Sequence, residues 1–123
     1  WVDVSATLKA EEVQIFADVY KNASDSGASP HIMVSHVLYS QIDAQHPVSL
    51  ASGLRSYVPE GATLISDDYH MGSVIQRYAM DEVLELSKNA GMDYMIFSNN
   101  PKASGGLLKP DPDLPVKIAE YYN

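Results

Sequence analysis

The stretch LISDDYHMGSV, residues 64–74, decides how the chain is read. An apolar pair runs into two adjacent aspartates, then a tyrosine, a histidine, a methionine and a glycine. Residues 62–66, ATLIS, have the length and composition of a short buried strand, which puts Asp67 and Asp68 at its C-terminal end. A carboxylate is costly to bury and has no packing value there, so the doublet needs either a surface or a chemical explanation. In α/β folds the C-terminal ends of parallel strands face the ligand crevice, and that gives the chemical explanation its footing.

Two further segments read as strands on either side. HIMVSHVLY (31–39) is nearly continuous in apolar and β-branched residues, as expected of a strand buried on both faces. DYMIFSNN (93–100) reads the same way. Residues 8–24 carry Val13, Phe16, Tyr20 and Ala23 at helical spacing, with Ile15 and Val19 widening the stripe and Thr7 as the expected N-cap. Gly27 and Pro30 end that helix. Asp81 is the expected N-cap of a helix whose stripe runs through Val83, Leu86 and Ala90 to Gly91. Residues 50–58 suggest a short weak helix, 101–115 an irregular Pro- and Gly-rich loop, and 116–122 the start of another helix.

Helices alternate with strands, which implies βα units around a parallel sheet. Three strands are few for such a sheet standing alone, and a (β/α)₈ barrel needs about 250 residues. The chain also opens on Trp1 rather than a methionine. The expected fold is therefore α/β, a partial (β/α)₈ TIM barrel of about three βα units, with residues 1–123 forming one piece of a larger barrel.

The formal net charge of −8 and only eight Lys and Arg argue against nucleic-acid binding and against anionic membrane surfaces. No apolar run approaches the length needed to span a bilayer. With no cysteine, disulfides, thiol nucleophiles and thiolate metal sites are excluded. Lack of cysteine fits a reducing cytoplasm, as it fits many exported bacterial proteins.

Polar residues recur at all three strand ends: Ser35 and His36, then Ser66, Asp67 and Asp68, then Ser98, Asn99 and Asn100. Each has an ordinary alternative. Asp68 is placed to cap a following helix, His36 to be a hydrogen-bonded core residue, Tyr69 and Met71 to pack, and Asn99 and Asn100 to form a turn before Pro101. His31 and His46 read as solvated.

Four motifs then fall in order: MVSH (33–36), PVSL (47–50), ISDDYHM (65–71) and AGMD (90–93). Together they resemble the C-terminal half of the catalytic barrel of glycoside hydrolase family 3, in its bacterial β-N-acetylglucosaminidase (β-hexosaminidase) branch. The resemblance covers roughly residues 31–100, and four motifs in order are more specific than any one.

It implies a retaining hydrolase that removes terminal β-linked N-acetylglucosamine with no metal or organic cofactor. Asp67 takes the position of the nucleophile. His36, Asp68 and Met71 fall at positions that line or support the substrate site. A retaining glycosidase needs an ionised carboxylate beside the anomeric carbon, so backbone N–H donors are expected around Asp67. The family's acid/base histidine, on a loop after a KHFPGHG motif, has no counterpart here, nor do its sugar-binding Lys-His pair and upstream arginine. Tyr69 replaces the usual leucine.

Two other readings stand beside this one. The chain is either a half-barrel that serves only as an assembly partner for a complementary segment or a second copy, or an acidic module that binds Mg²⁺ for phosphotransfer.

Overall fold

The computed structural model describes residues 1–98, 102–103, 106–107 and 111–122. In chain order it contains α1 (Ala10–Asp25), β1 (His31–Val34), 3₁₀ turns at Val48–Leu50 and Leu54–Tyr57, and β2 (Thr63–Asp68). These are followed by α2 (Gly72–Ile75), α3 (Met80–Ala90), β3 (Tyr94–Ile96), β4 (Lys102–Ala103), β5 (Gly106–Leu107) and α4 (Leu114–Tyr122). The first three strands form an open parallel sheet in the order β1-β2-β3, the mixed α/β arrangement expected from the alternation. No helix among the described residues is long and apolar enough to cross a membrane.

β1 and β2 pair in simple register, from His31 opposite Thr63 to Val34 opposite Ser66. β2 and β3 do not. Ile65 pairs with Tyr94 and Asp68 with Ile96, so β2 advances three residues while β3 advances two. Such an irregularity bends the strand and re-aims its side chains. Here the Ser66 hydroxyl accepts the Ile96 N–H at 3.0 Å, and the ladder resumes where Tyr69 N–H meets the Ile96 carbonyl at 3.0 Å.

The core lies on one side of this sheet. Val34, Leu54, Ala62, Leu64 and Met92 form one cluster, and Leu50, Tyr69, Val74 and Val83 a second, with Met95 packed against both. The other side is open, with Met33 62% and Tyr94 58% exposed and Ile96 exposed beside them. The expectation of a strand buried on both faces is therefore corrected. Within β1 only Val34 is fully buried. The strand is also shorter than 31–39. After Val34 the chain leaves the ladder, and Leu38 instead bridges in parallel to Asp3 at the N-terminus.

At the N-terminal edge of β2 and β3 an arginine closes the sheet. The Arg55 guanidinium donates to the carbonyls of Ala62 and Gly91 and to Asp93 Oδ2, which also accepts Leu64 N–H at 2.8 Å. Burial raises the Asp93 carboxyl, but these donors outweigh it and hold it below the ordinary carboxylate value. Gly91 ends α3 at φ +79°, as expected of a glycine C-cap, and an added Cβ there would collide with Arg55.

Other expectations are adjusted. α1 is capped at Lys9, whose N–H meets the Glu12 carboxylate at 2.8 Å, while Thr7 bonds back to Val4. None of its residues is fully buried, and Ile15, Phe16 and Val19 are exposed; the helix meets the sheet along its margin at β1. α3 begins at Met80 with Ala79 as cap, leaving Asp81 in its first turn, where the helix dipole still favours it. The weak helix expected at 50–58 is resolved into the two 3₁₀ turns. The stretch read as irregular loop contains the antiparallel β4–β5 pair. Asn99 and Asn100 lie outside the described residues.

A one-sided core makes a test. Leu64→Ala should lower unfolding stability by about 2–5 kcal/mol, and Met33→Ala on the same pair of strands by no more than about 0.5 kcal/mol. Urea midpoints at unchanged slope measure both, and equal losses would contradict a core confined to one face.

Candidate functional site

The site is the chain reversal that follows β2. Asp67 is half-buried in the irregular stretch between Ile65 and Asp68, and its Oδ1 accepts the Asp68 N–H at 2.7 Å. Among the described residues it takes part in no ion pair.

Asp68 is engaged differently. Its Oδ1 accepts two backbone N–H groups, from His70 at 3.0 Å and Ser98 at 2.9 Å, so it ties the reversal to the chain leaving β3. Its carbonyl accepts Met71 N–H at 3.0 Å and lies 3.0 Å from His36 Nε2. Burial raises the Asp68 carboxyl, and the donors from Ser98 and His70 overcome that and hold it low. Asp68 is thus a turn builder, and the N-cap of α2 is Met71.

His36 is buried under this reversal, 6% exposed, with Nδ1 2.7 Å from the Ser49 hydroxyl and Nε2 at the Asp68 carbonyl. Its ring stacks on Tyr69 at 5.1 Å between centroids. The Tyr69 phenol, fully buried, bonds to the Ser49 carbonyl and the Ser87 hydroxyl, each at 2.9 Å. Burial pushes that phenol up to about 12, so it remains a neutral donor. Burial also lowers His36, against the opposing pull of the Asp68 hydrogen bond and the Asp67 and Asp68 charges.

The structure therefore brings Asp67, Asp68 and His36 together at one strand end. Met71, at the end of the reversal, is 44% exposed rather than packed. His31 is exposed and stacks on Tyr94, as a solvated residue would. His46 is corrected from solvated to half-buried: its Nδ1 lies 3.0 Å from Asp43 Oδ2 and its ring stacks on Tyr78. That pairing is local, four residues of one loop; burial raises Asp43, but the Gln45 N–H, with the His46 ring and N–H, outweighs it and holds the carboxyl below its ordinary value.

Sequence reasoning missed Ser49 and Ser87 as partners of the site, and named Ser66 only as one of the polar residues at the strand ends. Small hydroxyl residues within apolar stretches carry no signal of burial, and only the PVSL motif pointed near one of them. Among the described residues no three His, Asp or Glu side chains gather closely enough to hold a metal ion. An apolar cavity of about 160 Å³ lies between α1 and β1, lined by Val13, Phe16, Ile32 and Leu54, and Asp67 is not part of it. No family model matches the chain.

A buried neutral histidine makes stability depend on pH. The folded protein binds the His36 proton less tightly than the unfolded chain, which takes it up as pH falls through about 6.5. The contribution is complete above that value and is lost as pH falls toward the lower folded value. The low-lying carboxylates of Asp43, Asp68 and Asp93 act in a separate window, below their ordinary value of 3.8. Urea midpoints between pH 7.5 and pH 5 (roughly one unit or more either side of the free histidine value) should fall in the wild type and fall less in His36→Gln.

Proposed function

We propose that the chain carries the nucleophile of a retaining glycoside hydrolase that removes terminal β-linked N-acetylglucosamine from cell-wall fragments or chitin-type oligosaccharides. The observation that supports this most directly is the division of labour in the carboxylate doublet. Asp68 is occupied by two backbone donors and builds the reversal. Asp67 meets one N–H through one oxygen, sits half-buried at the C-terminal end of the central strand, and is not neutralised by a described cation. That is an arrangement a carboxylate nucleophile can use: held in place and only partly buried.

In this reading an Asp67 oxygen attacks the anomeric carbon as the glycosidic bond breaks, giving a glycosyl-aspartate ester. A proton donor outside these 123 residues protonates the departing oxygen. Water, activated by the same group as base, then hydrolyses the ester and returns Asp67 as a carboxylate. Without that donor turnover falls by roughly 10²- to 10⁴-fold. The three parallel strands are, in the same reading, a sector of a (β/α)₈ barrel, and the side bearing Met33 and Tyr94 is the one turned to its interior.

The open side also favours a second reading, in which the chain works as an assembly partner. Parallel sheets occur almost only with both faces covered, and here Met33, Tyr94 and Ile96 lack cover. The expected partner is a complementary barrel segment.

Two measurements test these readings. In the protein that includes the proton-donor segment, Asp67→Asn should lower kcat on an aryl N-acetylglucosaminide by on the order of 10³-fold or more. Activity within about tenfold of wild type overturns the nucleophile. Light scattering of the 123-residue chain should show self-association or capture of the complementary segment, and a stable monomer indifferent to that segment overturns the assembly reading.

A further inference from the structure

We infer that His36 is the positioning residue of the Asp67–Asp68 reversal, acting as a neutral imidazole that donates from Nε2 to the Asp68 carbonyl and accepts at Nδ1 from Ser49. The geometry of this inference is independent of the reaction, while its consequence for turnover rests on the glycosidase reading above.

The tautomer follows from the partners. A carbonyl oxygen only accepts, so the 3.0 Å approach of His36 Nε2 to the Asp68 oxygen requires the proton on Nε2. In the neutral ring Nδ1 is then an acceptor, and the Ser49 hydroxyl at 2.7 Å must donate to it. The Ser49 carbonyl is the acceptor for the Tyr69 phenol, which leaves the phenol oxygen to accept from the Ser87 hydroxyl. Ser49, Tyr69 and Ser87 are fully buried and His36 nearly so. A buried column thus runs from α3, through Tyr69 and the Val48–Leu50 turn, to the peptide that joins Asp68 to the chain reversal.

The position of that column matters because the Asp68 N–H is the donor that holds Asp67. The carbonyl that His36 holds and the N–H that Asp67 accepts both belong to the Asp68 backbone, so a shift of that one residue moves the carboxylate beside it. Misplacement of a reacting group by about 1 Å costs on the order of 10²-fold in rate. The charged groups facing His36 are the Asp67 and Asp68 carboxylates from the end of β2, with the neutral Tyr69 phenol and Ser49 hydroxyl completing its surroundings. A second proton on the ring would sit on Nδ1, remove the acceptor for Ser49, and draw the imidazolium toward Asp67. Acid should therefore loosen the reversal at His36.

The first test uses the wild-type chain, so it does not depend on a variant folding. Nitrogen-15 spectra of His36 should show an unprotonated Nδ1 and a protonated Nε2 near neutral pH. On acidification the amide signals of Asp68, His70 and Ser98 should move together with the ring. A protonated Nδ1 with a bare Nε2, or a ring that titrates while those amides stay still, overturns the inference.

The second test is kinetic, in the protein with its proton-donor segment. His36→Ala should lower kcat by about 10- to 10²-fold with KM within about twofold, because the ring is buried beneath the reversal. His36→Gln, whose side-chain amide N–H reaches the place of Nε2, should restore most of the loss. Equal losses in both variants overturn positioning through that hydrogen bond. If Asp67→Asn leaves turnover intact while the spectra behave as expected, the glycosidase reading fails and the positioning role stands.

Discussion

His36 has both ring nitrogens engaged at the point where the chain turns back after β2, and the reversal is assembled on that residue. A buried imidazole with an unmet nitrogen would cost free energy comparable to a lost hydrogen bond, about 1–3 kcal/mol. The fold meets this by bringing three distant segments to one place: the 3₁₀ turn with Ser49, the strand end with Asp68, and α3 with Ser87. The apolar contribution comes from Tyr69, whose ring backs the imidazole while its hydroxyl joins the same network. Polar satisfaction and core packing are therefore one construction here. Neither the strand end nor the helix behind it has its geometry without the other.

The sheet itself rests on a different constraint. Parallel strands need helices or other cover on both faces, and the described residues supply cover for one. The side with Leu64 and Val34 is dry, and the side with Met33 and Tyr94 is wet. α1 does not compensate, since its apolar residues Ile15, Phe16 and Val19 are themselves exposed. Two apolar surfaces are thus left open, the Met33–Tyr94 side of the sheet and the Ile15–Val19 stripe of α1.

Much of this was legible in the residues. The parallel order, the place of β2 and the glycine stop at Gly91 follow from periodicity and from one residue type with access to positive φ. VLY continues the apolar run of HIMV, so the sequence suggests a strand to residue 39 where the ladder stops at Val34. Composition could not reveal that Ser35 and His36 leave the ladder so that the imidazole turns inward. The irregularity at Ser66 was equally hidden, since a serine that replaces a ladder acceptor looks like any strand serine. Asp67 and Asp68 were visible as a pair. Their separate roles were not, because those roles depend on which backbone N–H groups converge on each carboxylate in three dimensions.

That separation resolves the problem of placing two carboxylates in succession at a strand end. Like charges on neighbouring residues repel, and one of them would take up a proton unless its charge were balanced locally. Asp68 is balanced by the His70 and Ser98 N–H groups, which is why its carboxyl lies low despite burial. Asp68 meets its charge with these backbone dipoles, while Asp67 accepts the Asp68 N–H. The same donors fix the reversal in space, so the interaction that makes the doublet tolerable also aims its first member. A lone aspartate at position 67 would lack that frame. The second carboxylate thus frames the first, and the histidine beneath them holds the carbonyl of the peptide that follows the second.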